Sequence, residues 1–397
     1  MRKLKKFLDR TPLFRENLYI VGVVSFITVN ILMSYFVYSD AMDIMPLRAV
    51  RYLILASMIF KILVFDLKSY SKKRLWVTVA IFLAILVASI FSENRNLLWV
   101  FIMIVAAYGT DFRRVLKYVL ICELVIVGLF VLLFLLGITP DRIYGRSEND
   151  VMRHSLGFRY ATYLGIFLFS IACGWFYLRW KKARWYEFLG FLLLALLSFL
   201  LTDTRFEPIC IVLVVSYFGL RRVWPRLKYG KILAFLAKYI VFIVAIVSIV
   251  AVYTYDKESP IMSKLNDVSS GRLSLMSKAE REYPESIFGR PIKWVGISEV
   301  YNGEVESSEF NAVDNVYVRL MLNYGIIVLG IFLAMQYLLG KKAVEDKNEE
   351  LQFILIVIAC YSMLSPRMIE LTFNYFLMLY PTIGLTKLGG GQKYAQK

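Results

Sequence analysis

The sequence predicts an all-α, polytopic integral membrane protein with about twelve transmembrane helices. Hydrophobic residues make up 59% of its 397 residues, aromatic residues make up 16%, and the mean hydropathy is +0.60. Apolar runs long enough to cross a bilayer recur along the chain, for example residues 115–136 and 232–252. In lipid such runs must be helical, because their backbone N–H and C=O groups have no water to bond. We therefore treat residues 1–397 as a single membrane domain.

The predicted membrane segments follow one another along the whole chain. They are residues 18–38, 47–65, 75–91, 97–109, 115–136, 160–178, 187–201, 206–219, 232–252, 313–339, 351–364 and 369–386. The first run is long enough to be a retained anchor rather than a cleaved signal peptide. The four cysteines fall inside apolar runs, which predicts small buried hydrophobic side chains rather than disulfides or metal ligands.

The net charge is +17, and the distribution of Lys and Arg along the chain predicts how the protein is oriented in the membrane. If the N-terminus is inside, the inner segments hold 28 Lys and Arg and the outer segments hold 14. Seven of those 14 lie in one long outer loop. This alternation follows the positive-inside rule, so the charge does not indicate nucleic acid. We expect a multi-pass protein of the cell membrane with both termini in the cytoplasm.

Two predicted external segments are long, residues 137–159 and residues 253–312, and we expect short helices in the second. Long connections within compact proteins are usually functional. The predicted cytoplasmic loops are short and basic and contain no glycine-rich phosphate cradle. Chemistry is therefore expected outside. A transferase there needs a donor that is already activated on that side, such as a lipid pyrophosphate.

The predicted external side also carries arginines, which the positive-inside rule disfavours there. A planar guanidinium donates two parallel hydrogen bonds to phosphate oxygens and stays charged, which suits pyrophosphate binding. The alternative is snorkelling or surface ion pairing, which we favour for Arg142. The remaining candidates are Arg146, Arg153, Arg159, Arg205, Arg272, Arg290, Arg319 and Arg367.

Arg205 is the clearest functional candidate of this set. It lies in the TDTRFEP turn between two apolar helices, where a charge is costly without a partner. Asp203 or Glu207 would supply that partner. Arg367 and Glu370 lie one helical turn apart, and an ion pair is as good an interpretation there as a substrate contact.

The segment DNVYVRLMLNYG places polar residues at the start of an apolar helix. Asn315 and Arg319 are four residues apart and share a helix face. Asp314 precedes the helix, where a carboxylate caps the N-terminus favourably. The alternative is that this carboxylate accepts a proton from a sugar hydroxyl.

Several motifs resemble those of the Wzy-type oligosaccharide repeat-unit polymerases and O-antigen ligases of bacterial surface polysaccharide synthesis. The long loop reads SGRLSLMSKAEREYPESIFGRPIKW and is followed by DNVYVRLMLNYGIIVLGIF. The RHSLGFRYATYLG run resembles a pattern of Gram-positive capsule and exopolysaccharide polymerases, and TDTR resembles their T-x-S/T-R turn. The matching positions of the long motif are Ser270, Gly271, Arg272, Gly289, Asn315, Tyr317, Gly325, Ile326 and Ile327.

The resemblance implies a GT-C-like fold with a large external loop between helices 9 and 10. It implies metal-independent glycosyl transfer, without a cofactor, from a glycan on undecaprenyl pyrophosphate to a new lipid-linked repeat unit. Asp314, Arg205 and Arg272 would be catalytic. The implied substrate-binding residues are Arg146, Arg153, Arg159, Arg290, Asn315, Tyr317, Arg319 and Arg367. The implied partners are this oligosaccharide, membrane lipids, a chain-length regulator and a flippase.

Two alternatives within this pathway remain open. Ligases of the superfamily typically have a histidine at the position of Asp314, which favours a polymerase over a ligase. A flippase for the same lipid-linked unit would fit twelve helices. However, the two halves of the chain show no internal repeat, and the long loop breaks any symmetry between them. Gram-positive polymerases often have a histidine two residues after S-L-G-F, where this chain has Tyr160. His154 lies six residues before that position, so we do not transfer the role to it.

Overall fold

The computed structural model describes residues 12–35, 45–145, 152–225, 230–296, 300, 306 and 309–384. Its α-helices, numbered here in chain order, are α1 Pro12–Tyr35, α2 Met45–Lys61, α3 Lys72–Phe91, α4 Asn96–Ala106, α5 Phe112–Leu135, α6 Thr162–Arg179, α7 Trp185–Thr202, α8 Phe206–Val223, α9 Gly230–Tyr253, α10 Pro260–Val268, α11 Arg272–Glu282, α12 Val316–Arg319, α13 Ile326–Glu345 and α14 Glu349–Tyr361. A short antiparallel hairpin joins β1 Ile143–Gly145 to β2 Met152–His154, with Tyr144 opposite Arg153.

The described helices confirm an all-α protein suited to a membrane. In that part of the chain, seven helices are long and apolar enough to cross a bilayer: α1, α3, α5, α6, α7, α9 and α13. On α7 the leucines at 193, 196, 197 and 200 are exposed, whereas Phe191, Ala195 and Ser198 are buried. A broad exposed apolar face of this kind is typical of a surface that meets lipid.

The chain packs into two compact units. The first contains the described residues of Met1–Trp76, Trp99–Leu227 and Leu371–Lys397. Its centre is α6, which is buried along nearly its whole length. The second contains Val77–Leu98 and the described residues of Lys228–Glu370. In this unit α9 packs against α13 and α14.

The predicted single helix over residues 313–339 is wrong. The segment instead forms α12, a π turn over Leu320–Tyr324, a break at Gly325 and then α13. Gly325 has a φ of +89°, which glycine adopts without a steric penalty and which no α-helix contains. Apolar residues lie on both sides of Gly325, at Leu320–Leu322 and Ile326–Leu329, so hydropathy alone does not reveal the break.

The predicted helix over residues 369–386 is also wrong. A 3₁₀ segment, Tyr375–Thr382, forms within it, and another, Pro366–Ile369, ends where the predicted helix begins. Pro381 has no backbone N–H to donate, and Thr372 and Asn374 are residue types that favour non-helical backbone.

This final segment, residues 371–383, is nevertheless an interior element of the first unit. Every residue from 371 to 380 is buried. Thr372 accepts a hydrogen bond from Asn30 of α1, and the carbonyl of Phe373 accepts one from Ser170 of α6 at 2.6 Å. Farther along, the Tyr375 hydroxyl donates to Glu123 of α5. Non-helical backbone at membrane depth is tolerated when protein encloses it, and these contacts provide that enclosure.

Candidate functional site

An ion pair joins the long loop to the start of the broken helix in the second unit. Arg272 is the first residue of α11, and its Nε donates to Oδ2 of Asp314 at 3.0 Å. Its Nη1 also donates to the carbonyl of Ser269 at 3.1 Å, which fixes the guanidinium. The side chain of Asp314 is 38% exposed. The pair therefore presents an oriented carboxylate that an incoming group can reach.

Asn315 and Tyr317 hold the beginning of α12. The Asn315 side chain accepts from the backbone N–H groups of Tyr317 and Val318, and its Nδ2 donates to Ser248 of α9 at 2.9 Å. The Tyr317 hydroxyl donates to the carbonyl of Ala359 at 2.8 Å. Both side chains are fully buried. Asn315 is thus an N-cap that fixes the backbone next to Asp314.

The break at Gly325 is the point where the long loop packs against the broken helix. Asn323 Nδ2 donates to the carbonyl of Arg290 at 3.1 Å, and the Arg290 N–H donates back to the carbonyl of Asn323 at 3.2 Å. A Cβ at Gly289 would lie 2.2 Å from the Asn323 carbonyl oxygen. A Cβ at Gly325 would lie 2.4 Å from the carbonyl oxygen of Ile287. Backbone meets backbone here, so both positions need glycine.

We therefore expect Gly325→Ala to lower the free energy of unfolding by about 3 kcal/mol, since it adds overlap with backbone to a strained φ. Thermal unfolding of the purified protein in detergent measures this loss. Gly330→Ala is the matched control, because Gly330 lies on α13 with nothing within 4 Å of its added Cβ. The control should be neutral or slightly stabilising. Equal melting temperatures for the two variants would contradict the packing described.

Further arginines lie close to this joint in the second unit. The guanidinium of Arg319 lies over the Trp294 ring, 5.3 Å from its centroid. It also interacts electrostatically with Arg367, Glu370 and Asp314. Arg367 Nη1 is 4.0 Å from Glu370 Oε1, a loose contact between half-exposed side chains.

Arg290 completes this group. Its Nε is buried without a hydrogen-bond partner among the described residues. The four arginines of this group outnumber its three carboxylates, Asp314, Glu370 and Glu285, the last of which interacts with Arg290. A buried donor without a partner and an excess of positive charge are both features that suit an anionic ligand.

Two carboxylates near the C-terminal end of α11, Glu280 and Glu285, have pKa values shifted in opposite directions. Burial and the neighbouring Glu285 raise the pKa of Glu280. A hydrogen bond from the Tyr253 hydroxyl, 2.6 Å long, lowers the pKa of Glu285. Glu285 therefore anchors the end of α9 to the long loop as a carboxylate acceptor.

In the first unit, the S-L-G-F motif forms a turn around Asp141. The Asp141 carboxylate accepts from the backbone N–H groups of Ser155 and Leu156, each at 3.0 Å, and it also bonds His154 Nδ1. Leu156 and Gly157 have φ values of +53° and +82°. The only histidine is thus paired with a carboxylate that organises this turn.

The hairpin brings Arg153 to the turn that contains Arg205. Arg153 Nε donates to the carbonyl of Thr202 at 3.1 Å, and its guanidinium lies 5.8 Å from the Tyr160 ring centroid. Arg205 directly precedes α8 and is exposed, and it has no ion-pair partner in the described part of the chain. The expected pairing with Asp203 or Glu207 is not found.

The other predicted arginines distribute as follows. Arg159 lies in the same turn of the first unit, where its backbone N–H donates to the carbonyl of Ser34. Arg146 lies outside the described residues. The first unit thus brings Arg153 and Arg205 together, and the second brings together Arg272, Arg290, Arg319 and Arg367 with Asp314.

Comparison of the chain with protein-family models, with curated protein sequences and with solved structures finds no match. The interpretation of the site therefore depends on its own geometry.

Three features of the structure were not predicted from the sequence, and two of them leave no signal in it. Asp141 gives no signal as a turn organiser, because its partners are backbone groups fourteen and fifteen residues away. The sequence also gives no signal that the Trp294 ring lies next to Arg319. A third feature, Glu123 in the middle of an apolar run, did carry a signal, since an intramembrane carboxylate requires a partner.

Proposed function

We propose that this chain is a membrane glycosyltransferase that polymerises oligosaccharide repeat units carried on undecaprenyl pyrophosphate, on the external membrane face. The observation that carries the proposal is the Arg272–Asp314 ion pair. It combines a reachable carboxylate with a group of four arginines in which positive charge is in excess. Glycosyl transfer from a lipid pyrophosphate requires one group that binds the pyrophosphate and another that accepts a proton.

In the proposed reaction, a sugar hydroxyl of one lipid-linked unit attacks the anomeric carbon of the growing glycan. The bond from that carbon to the pyrophosphate oxygen breaks, and the new glycosidic bond forms. Asp314 accepts the hydroxyl proton, and the lipid pyrophosphate leaves with the bonding electrons. Arg272 and its neighbouring arginines stabilise the charge that develops on the leaving group. Asn315 and Tyr317 are positioning residues in this proposal, because their polar atoms already bond within the protein.

The proposal also includes twelve membrane crossings. Helices α1 to α9, α13 and α14 would supply eleven of them. The buried segment of residues 371–383 would supply the twelfth. The beginning of the segment meets Asn30 of α1 and its end lies near Tyr19, eleven residues closer to the start of that helix. Along α5 its contacts run in the same way from Glu123 to Phe112. Eleven residues of helix correspond to about 16 Å of depth. This path leaves both termini in the cytoplasm and residues 253–312 outside.

The direct experiment incubates the purified protein with a lipid-linked repeat unit and separates the glycans by size. We expect a ladder of longer products. Arg272→Lys keeps the charge but removes the planar fork, so the rate should fall by about 10- to 100-fold, the effect of losing one charge-assisted hydrogen bond.

The matched control is Arg95→Lys, at an exposed arginine in the predicted external loop between α3 and α4. It should form ladders at the wild-type rate. A full ladder from Arg272→Lys would exclude a bidentate role for Arg272, and unchanged substrate with the wild-type protein would refute the polymerase proposal.

A further inference from the structure

A groove lined by polar residues runs along α11, the helix that begins with Arg272. Its volume is about 450 Å³, which lies within the usual range for ligand sites of roughly 300–1,000 Å³. The lining residues are Tyr255, Ser274, Ser277, Lys278, Arg281 and Glu282. Four of these, at positions 274, 277, 278 and 281, are three or four residues apart and therefore share one face of the helix.

The groove and the proposed reaction centre lie on the same helix but on different faces, because Arg272 and Ser274 are two residues, or about 200°, apart around the helix axis. Arg272, which holds Asp314, is the first residue of the same helix. Arg281 lies nine residues farther along, which corresponds to about 14 Å at 1.5 Å per residue. A ligand in the groove would therefore lie along the same rigid helix, on the side away from Arg272.

The lining groups match a polyhydroxylated ligand. Lys278 and Arg281 are donors, Glu282 is an acceptor, and the serine and tyrosine hydroxyls are both. Ser277 Oγ is buried and has no hydrogen-bond partner among the described residues, so rotation of this side chain toward the groove would let a bound hydroxyl satisfy it. Arg281 is exposed, and a 3.3 Å hydrogen bond to the Tyr255 carbonyl ties it to the opposite wall. Sugar hydroxyls both donate and accept, and sugar rings have apolar faces that pack on aromatic rings such as Tyr255.

We infer that the groove of Tyr255, Ser274, Ser277, Lys278, Arg281 and Glu282 is a saccharide subsite, which holds sugar units one or more residues away from the bond that forms. This inference rests on the proposed function for its place in a reaction. It deepens that proposal by assigning the selection of the glycan to α11 rather than to the arginines that bind pyrophosphate.

Binding of free oligosaccharides tests the groove without any polymerisation. The full-length protein in lipid nanodiscs is applied to an array of neutral, uronate-containing and amino-sugar-containing oligosaccharides. We expect the wild type to retain a subset of them, and Lys278→Ala/Arg281→Ala to bind that subset at least about tenfold more weakly. The matched control is Lys257→Ala/Lys264→Ala, which removes the same charge from exposed lysines of the same loop outside the groove.

The outcomes separate this inference from the proposed function. If saccharide binding depends on the groove but no ladder forms, the polymerase proposal is refuted and the subsite is retained. Ladder formation without saccharide binding, or equal binding by both double variants, would overturn the subsite. Displacement of the bound saccharide by inorganic pyrophosphate would show an anion site instead, and would also overturn it.

Discussion

Asp314→Asn should slow glycosyl transfer by about 10³-fold while leaving the protein folded. An amide cannot accept the hydroxyl proton, and a positioned general base contributes about 10²- to 10⁴-fold. The side chains of Asp314 and Arg272 are 38% and 22% exposed, so the loss of their ion pair should cost less than about 1 kcal/mol of stability. Initial rates from the ladder assay, together with melting temperatures, measure both effects.

The control for this prediction is Asp267→Asn, which removes the same charge from an exposed position on α10. It should retain the wild-type rate. A second variant, Arg272→Met, separates the two roles that Asp314 has in the proposal. It removes the ion pair but leaves the carboxylate, so a pH–rate profile should keep its acidic limb, whereas Asp314→Asn should abolish that limb. If both variants lose the limb or both keep it, Asp314 is only a partner of Arg272.

The parts of the fold that hydropathy controls were predictable from the sequence. The helices α5, α6, α7 and α9 begin and end within three residues of the predicted segments. The two wrong segments share one cause. Their mean hydropathy is high enough to suggest a membrane helix. However, the non-helical backbone at Gly325 and in residues 371–383 is stabilised by contacts with distant residues such as Ile287 and Ser170. A residue window cannot detect such contacts.

The candidate site was predictable in its residue types but not in its pairing. The preference of phosphate for guanidinium groups drew attention to Arg272 and Arg319, and the position before the helix drew attention to Asp314. The 3.0 Å bond between Arg272 and Asp314 joins residues 42 positions apart. The buried roles of Asn315 and Tyr317 also depend on Ser248 and Ala359, which lie on other helices.

The largest effect on stability is expected at Lys61 and Asp66, which are fully buried in the first unit. A π turn over Ile62–Asp66 widens the helix end, so that side chains five residues apart meet at 2.7 Å. Lys61 also donates to the carbonyls of Ala106 and Tyr108, and Arg15 of α1 donates to the other carboxylate oxygen of Asp66 at 2.8 Å. The pair therefore connects α1, α2 and α4.

Asp66→Asn should lower the free energy of unfolding by about 3–5 kcal/mol, because it leaves the Lys61 ammonium buried without a counter-charge. The control is Glu345→Gln, which breaks the exposed Lys341–Glu345 pair, 3.9 Å long, and should change stability by less than about 0.5 kcal/mol. Thermal unfolding in detergent compares the two variants.

The double variant Lys61→Met/Asp66→Leu distinguishes the cost of an unpaired charge from the loss of a favourable interaction. Replacing both partners by apolar side chains removes the buried charges together, so the double variant should be more stable than Asp66→Asn. Arg15 can still turn its guanidinium toward water, since its side chain is 18% exposed. If the double variant is the less stable protein, the hydrogen bonds from Lys61 to the carbonyls of Ala106 and Tyr108, rather than the charge balance, are what stabilise this end of the first unit.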